Sequence, residues 1–127
     1  MCVLCKPDAS LILKETGLSL AIVNLFPSGN ISLLILPKRH VSSVKEITQA
    51  ELVDLFSLVK TFSAKVEKFS TDYNVFWNRG SLAGQTEKHF HIHIVSRTVC
   101  NGVRISRVKK AKKITQERLK QIREILS

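Results

Sequence analysis

Residues 89–95 read His89-Phe90-His91-Ile92-His93-Ile94-Val95, placing three of the chain's four histidines at alternate positions. Successive side chains of a strand leave on opposite faces. The pattern predicts a strand over about 90–97, with His89, His91 and His93 on one face and Phe90, Ile92 and Ile94 on the other. Imidazoles with a reference pKa of about 6.5 supply nucleophiles, proton carriers or metal ligands, and three on one face are poor material for a purely structural strand. Just before them runs Gly80-Ser81-Leu82-Ala83-Gly84-Gln85-Thr86, a Gly-rich polar loop suited to holding an anion. The rival reading is a pH-sensitive or fortuitous histidine strand; the neighbouring loop favours a catalytic one.

At 127 residues the chain is long enough for one domain with a real core. No apolar run approaches the roughly 20 residues needed to span a bilayer. The N-terminus lacks the basic region and long apolar stretch of a signal peptide. The expectation is a cytoplasmic protein without membrane association. The net charge of +10 is uneven: residues 104–127 carry nine Lys/Arg against two Glu, a surplus of +7. This divides the chain into a main part, 1–103, and a basic helical extension of the same domain, 104–127. Such an extension either binds nucleic acid or another polyanion electrostatically, or is a solvated helix face. Cys2, Cys5 and Cys100 do not form a disulfide scaffold. Cys2-x-x-Cys5 reads as a redox motif or half a zinc site, and its place ahead of every predicted element favours metal. Cys100 reads as an ordinary loop thiol.

The remaining pattern alternates short apolar runs with turn residues. Strands are predicted over 11–17, 18–25, 31–36 and 73–77, with a loop over 24–30 marked by Pro27, Gly29 and Asn30. Leu52, Leu55, Phe56, Val59, Phe62 and Val66 fall at helical spacing, which predicts a helix from Glu46 to about Phe69 with Thr48 as a plausible N-cap. Leu119, Ile122 and Leu126 predict an amphipathic helix over 115–126. The order of elements argues for an α+β fold: an antiparallel sheet, one long helix packed on it, and a C-terminal helix.

His40 stands in Pro37-Lys38-Arg39-His40-Val41. This segment, Cys2-x-x-Cys5, Ile22-Val23-Asn24, Trp77-Asn78-Arg79-Gly80, Ala83-Gly84-Gln85-Thr86 and the His-x-His-x-His run together resemble the histidine triad family over roughly residues 2–97. Any one of these signals is weak; in this order they are specific. The Gly-Gln-Thr loop and Asn24 look more like the fragile-histidine-triad branch, whose substrates are dinucleoside polyphosphates. The resemblance implies transfer of a nucleoside monophosphate from a phosphoanhydride or phosphoramidate through a nucleotidyl-histidine intermediate. His91 matches the nucleophile, and His93 the partner contacting the phosphate. Gln85 and Thr86, with Gly84 beside them, match the loop holding phosphate oxygens and the leaving-group side. Asn24 matches a ribose-binding position and Asn78 a contact near the phosphates, although turn chemistry explains either asparagine alone. The family commonly forms homodimers.

Two departures stand out. Ser32 occupies a position where family members often carry a further histidine, so the hydrogen bonding that orients the triad must be rearranged. Val95-Ser96-Arg97 stands where Val-Pro-Arg is frequent. Cys2, Cys5, His40 and His89 resemble the zinc site of galactose-1-phosphate uridylyltransferases and of zinc-containing bacterial relatives. Two thiolates and two imidazoles suit tetrahedral, structural Zn²⁺; the alternative is a pair of free terminal thiols with His89 bonded to backbone. Two rival functions accompany the main reading. The basic extension motivates removal of adenylate from nucleic-acid ends, as in aprataxin-like proteins. Ser32 motivates a nucleotide-binding regulatory module of weak activity.

Overall fold

Short apolar runs closed by turn residues build a single antiparallel sheet. The computed structural model describes residues 2–24, 31–97 and 113–127. Its strands are β1 (Ile12–Glu15), β2 (Ser19–Val23), β3 (Ser32–Pro37), β4 (Tyr73–Phe76) and β5 (Ile92–Ser96), in the order β1-β2-β3-β5-β4. The long helix α1 (Gln49–Phe69) joins β3 to β4, and α2 (Gln116–Leu126) ends the chain. This is the expected α+β architecture. The loop residues 25–30, Cys100 and the basic stretch 104–112 lie outside the described residues.

Register assigns the two faces. Leu34 stands opposite Ile22 on one side and His93 on the other, so these three side chains share a face. Leu33, Val23 and Ile94 share the opposite one, where α1 packs across β2, β3 and β5. The Tyr73 hydroxyl, on that same side of β4, donates to Glu67 of α1 at 3.0 Å. Burying Leu55, Leu58, Val59, Phe62 and Val66 stabilises this layer by roughly 1.5–3 kcal/mol per side chain before entropy is counted. Phe56, expected in the stripe, is 44% exposed, and Leu58 takes the inward position.

The boundaries differ from expectation at two informative places. The helix starts at Gln49 rather than Glu46 because Thr48 forms a capping box: its hydroxyl accepts from Glu51 N at 3.1 Å while the Glu51 carboxylate accepts from Thr48 N at 2.9 Å. The preceding residues Val44–Glu46 make a separate 3-10 turn. The last strand starts at Ile92 rather than Phe90, since Phe90 N donates to Val41 O at 2.6 Å instead of joining a ladder. His89 and His91 therefore stand on the approach to β5, and only His93 lies within it.

Helix α2 is docked. Leu119, Ile122 and Leu126 are buried in the common core. Lys65 Nζ of α1 donates to Leu126 O at 2.9 Å, and Arg123 donates to Ser10 O and, at 3.1 Å, to Ile12 O beside the edge strand β1. Among the described residues no helix is long and apolar enough to cross a membrane.

Glu51 links the helix start to the segment after β3. Besides its cap it accepts from Arg39 at 2.7 and 3.2 Å, and these bonds hold its carboxyl at about 2, well below the usual carboxylate range. The carboxyl is buried whereas Arg39 is half-exposed, so the pair stabilises the fold near neutral pH but solvent screens part of it. A depressed carboxyl stabilises the fold fully above its unfolded value of about 4.3 and loses that contribution as pH falls toward 2. Glu51→Gln is expected to lower the urea midpoint at neutral pH, and the gap from wild type should narrow by more than half near pH 3. Chemical denaturation at the two pH values checks this.

Candidate active site and metal-binding group

His89 carries two obligations at once. Its Nε2 lies 2.7 Å from Pro37 O, and a carbonyl only accepts, so Nε2 holds the proton and Nδ1 presents a lone pair. That lone pair lies 3.5 Å from both Cys2 and Cys5 Sγ. His40 Nδ1 joins them at 3.4 Å from Cys2 and 3.1 Å from Cys5, and the two sulfurs are 3.1 Å apart. All four donor atoms fall within 4.8 Å of one another, and both cysteines are free thiols. The Cys2 thiol is pushed up by burial and by the hydrogen bond with Cys5. Around a tetrahedral ion with Zn–S near 2.3 Å and Zn–N near 2.0 Å, sulfur–nitrogen edges are about 3.6 Å and the sulfur–sulfur edge about 3.8 Å. The sulfur–nitrogen distances, 3.1–3.5 Å, come within about half an ångström of that requirement, and the sulfurs must spread. The four residues thus form a group able to hold a metal ion, with His89 oriented by a backbone carbonyl as such ligands commonly are.

Two residues further on, His91 Nδ1 donates to His89 O at 2.7 Å. The proton is on Nδ1, which leaves Nε2 with the free electron pair a nucleophile needs. His93 packs at 4.7 Å from His91 and stacks on Phe76 at 4.6 Å with an interplanar angle of 8°. Burial pushes both imidazoles down; His93, with the His91 charge adding to burial, is lowered to about 4. Both are neutral at physiological pH. His93 Nε2 is buried and makes no hydrogen bond among the described residues. The expected common face therefore divides: His91 and His93 line a cavity, while His89 turns to the metal-binding group.

The Gly-rich loop is braced from within. Gly80 and Gly84 adopt φ of 90° and 96°, backbone that L side chains rarely adopt. The Gln85 amide oxygen accepts from Gly80 N at 2.8 Å, and its nitrogen donates to Ser42 O at 3.1 Å. Asn78 donates to Gly84 O at 3.4 Å. Gln85 and Asn78 accordingly shape the loop, and a phosphate contact from the Gln85 side chain requires it to release one partner. Thr86, by contrast, lines the cavity with the histidines. Asn24 also lines it and donates to Ser32 Oγ at 3.3 Å. With Ser32 engaged by Asn24, the orientation of His91 comes from the His89 carbonyl.

The cavity measures about 410 Å³. One wall is the sheet face bearing Ile22, Leu34, His91 and His93; the N-terminal segment supplies Leu4, Asp8 and Leu11, and the C-terminal segment supplies Lys113, Ile114, Gln116 and Leu119. None of these N- and C-terminal wall residues was a sequence-level site candidate. Leu119 was legible only as a packing residue, and no local signal marks Lys113 or Gln116.

A histidine pair at a cavity, a two-Cys two-His group tied to it through His89, and this sheet order define a histidine triad protein. Residues 7–99 match the HIT domain, and the chain belongs to the HIT family. It is 40% identical over 93 residues to the asymmetrical bis(5'-nucleosyl)-tetraphosphatase of Schizosaccharomyces pombe, covering 72% of this chain and 51% of that protein. It is 33% identical over 95 residues to adenosine 5'-monophosphoramidase of the same yeast, covering 74% of this chain and 70% of that one. The chain thus spans about half the length of the tetraphosphatase. In solved structures the fold recurs in a Zn-bound histidine triad family protein from Mycobacterium smegmatis, with a TM-score of 0.79 at 19% identity over 98% of this chain and 92% of that one.

Proposed function

We propose that the chain transfers a nucleoside monophosphate from a phosphoanhydride or phosphoramidate to water, or to another acceptor, by way of His91. The observation that carries this is the His91 Nδ1–His89 O hydrogen bond, which aims an unprotonated Nε2 at a cavity also lined by His93 and Thr86. In the first step the Nε2 lone pair attacks the phosphorus and the bond to the leaving oxygen or nitrogen breaks. A polyphosphate leaves as its anion and an amine leaves with a proton taken from water, while neutral His93 and the Thr86 hydroxyl contact the phosphate oxygens. In the second step water attacks the phosphorus, the bond to Nε2 breaks and returns its electron pair to His91, and the water's extra proton passes to solvent as the monophosphate is released. The yeast relatives act, by their names, on a dinucleoside tetraphosphate and a monophosphoramidate, which supports both leaving-group classes. Dinucleoside polyphosphates are the first substrate class, with Asn24 toward the ribose and Gly84, Gln85, Thr86 and Asn78 around the phosphates.

The reading includes one structural zinc on Cys2, Cys5, His40 and His89, supported by the fit of the donor atoms to a tetrahedron. The zinc supplies no chemistry to the substrate. It fixes His89, which in turn orients His91. Such a site requires reduced thiols, in keeping with a cytoplasmic setting. Homodimer formation belongs to the same reading: Val53 and Phe56 on α1 and Val75 on the edge strand β4 are exposed apolar side chains.

His91→Ala is expected to lower kcat by several orders of magnitude while nucleotide binding persists, since only the covalent step is lost. His93→Ala should cost less, because water substitutes in part for its contact with the phosphate. Steady-state kinetics with diadenosine polyphosphates and an adenosine phosphoramidate, together with calorimetric binding, check both. Near-normal turnover by the His91 variant would overturn the assignment. For the metal, chelator-free protein should contain about one zinc per chain, and Cys5→Ser should lower Tm by more than it lowers room-temperature activity. Elemental analysis and thermal denaturation read this out.

A further inference from the structure

The family match ends at residue 99, yet the cavity does not. Lys113, Ile114, Gln116 and Leu119 form part of its wall. We propose that this C-terminal segment is the base-selecting wall of the nucleotide cavity, with Gln116 the residue that reads the edge of the base. The inference rests on the nucleotidyl-transfer reading and deepens it.

The wall is fixed rather than loose. Leu119 is buried in the common core with Ile122 and Leu126, and Thr115 caps the helix by accepting from Arg118 N at 3.1 Å. Arg123 ties α2 to Ser10 O and Ile12 O, beside the N-terminal segment that forms the adjoining wall. A preorganised wall discriminates between ligands because little ordering free energy is lost on binding.

The chemistry of the lining divides the cavity. His91, His93 and Thr86 are the groups for phosphorus, and Asn24 is placed for a sugar. The apolar remainder, with Ile22 and Leu34 from the sheet and Ile114 and Leu119 from the C-terminal segment, suits the flat faces of a base. A base held by its faces alone is not distinguished from another base; that takes polar contacts to its edge. Asp8 accepts from both Ser10 N and Ser10 Oγ at 2.9 Å through Oδ1, which leaves Oδ2 as an acceptor only, and the Lys113 ammonium in the same wall is a donor only. Gln116, exposed at the rim of the cavity, is the one side chain of the C-terminal wall that offers both donors and an acceptor, the pair of groups a base edge presents in return.

The test uses the full chain and four probes: AMP, GMP, CMP and UMP, measured by calorimetry, with the corresponding dinucleoside polyphosphates followed kinetically. Wild type is expected to prefer one base by about tenfold or more, the scale of one well-made hydrogen bond. Gln116→Leu keeps the volume and removes the polar edge, so Kd for the preferred monophosphate should rise about tenfold and the four values should converge. In the kinetics the loss should fall on KM rather than kcat. A Leu variant with unchanged preference overturns the base-reading role while the transfer reading stands, and so does a wild type that binds all four alike. Failure of wild type to bind any of the four overturns both.

Discussion

Most of this site depends on one buried histidine. His89 has a proton on Nε2 that goes to Pro37 O, a lone pair on Nδ1 that faces Cys2 and Cys5, and a carbonyl that receives the His91 proton. Each of these fixes the next. The Pro37 bond selects the tautomer, and the tautomer decides whether His89 is able to bind a cation. The same backbone position then decides which nitrogen of His91 carries the lone pair. Pro37 and His40 sit at the end of β3 and just beyond it, and Arg39 between them is clamped to Glu51 at the start of α1. A helix cap, a strand end and the His91 imidazole are therefore mechanically continuous.

Burial then sets the charge state. A surface imidazole near its reference value of about 6.5 is partly protonated at neutral pH and so partly unavailable as a nucleophile. Here burial pushes His91 and His93 down, the latter to about 4. The same effect would leave any anion in this cavity poorly compensated by imidazole charge, so its stabilisation must come from Lys113 in the wall or from dipoles. The loop's backbone and the Thr86 hydroxyl are the available ones, and their geometry depends on the two positive-φ glycines and on Gln85 held between Gly80 and Ser42. A stiff loop of oriented dipoles reorganises little when charge develops, which is the condition under which such groups stabilise a transition state.

The alternation of histidines made the strand, the pairing of His91 with His93 and the apolar face behind them legible in advance. Helical spacing and Thr48 gave α1 to within a turn. What escaped was long-range. Periodicity cannot say that Phe90 leaves the ladder for Val41, so the three-histidine face is split in a way alternation alone does not foresee. Nor does residue type show that Gln85 braces the loop, which is visible only in its bonds to Gly80 and Ser42. The Leu119, Ile122 and Leu126 stripe announced a packed helix, but whether it packs on this sheet or on a second copy is a tertiary fact. Residues 8 and 116 meet around one cavity across more than a hundred positions of chain, and no local pattern encodes that.

The cavity's size carries a last consequence for the proposed reaction. About 410 Å³ lies toward the lower end of the range for small-molecule pockets, which run from about 300 to 1,000 Å³. That is room for a nucleotide unit. On the proposed reaction, the group transferred to His91 is the one held between the sheet, the N-terminal segment and the C-terminal wall, and the leaving group is the half outside it. Discrimination by packing acts on the enclosed half alone. The departing half, whether a second nucleotide's polyphosphate or an amine, is sensed mainly through its own basicity. A site arranged in this way is selective for what it binds covalently and permissive toward what it expels, which is how one fold can serve both anhydrides and phosphoramidates.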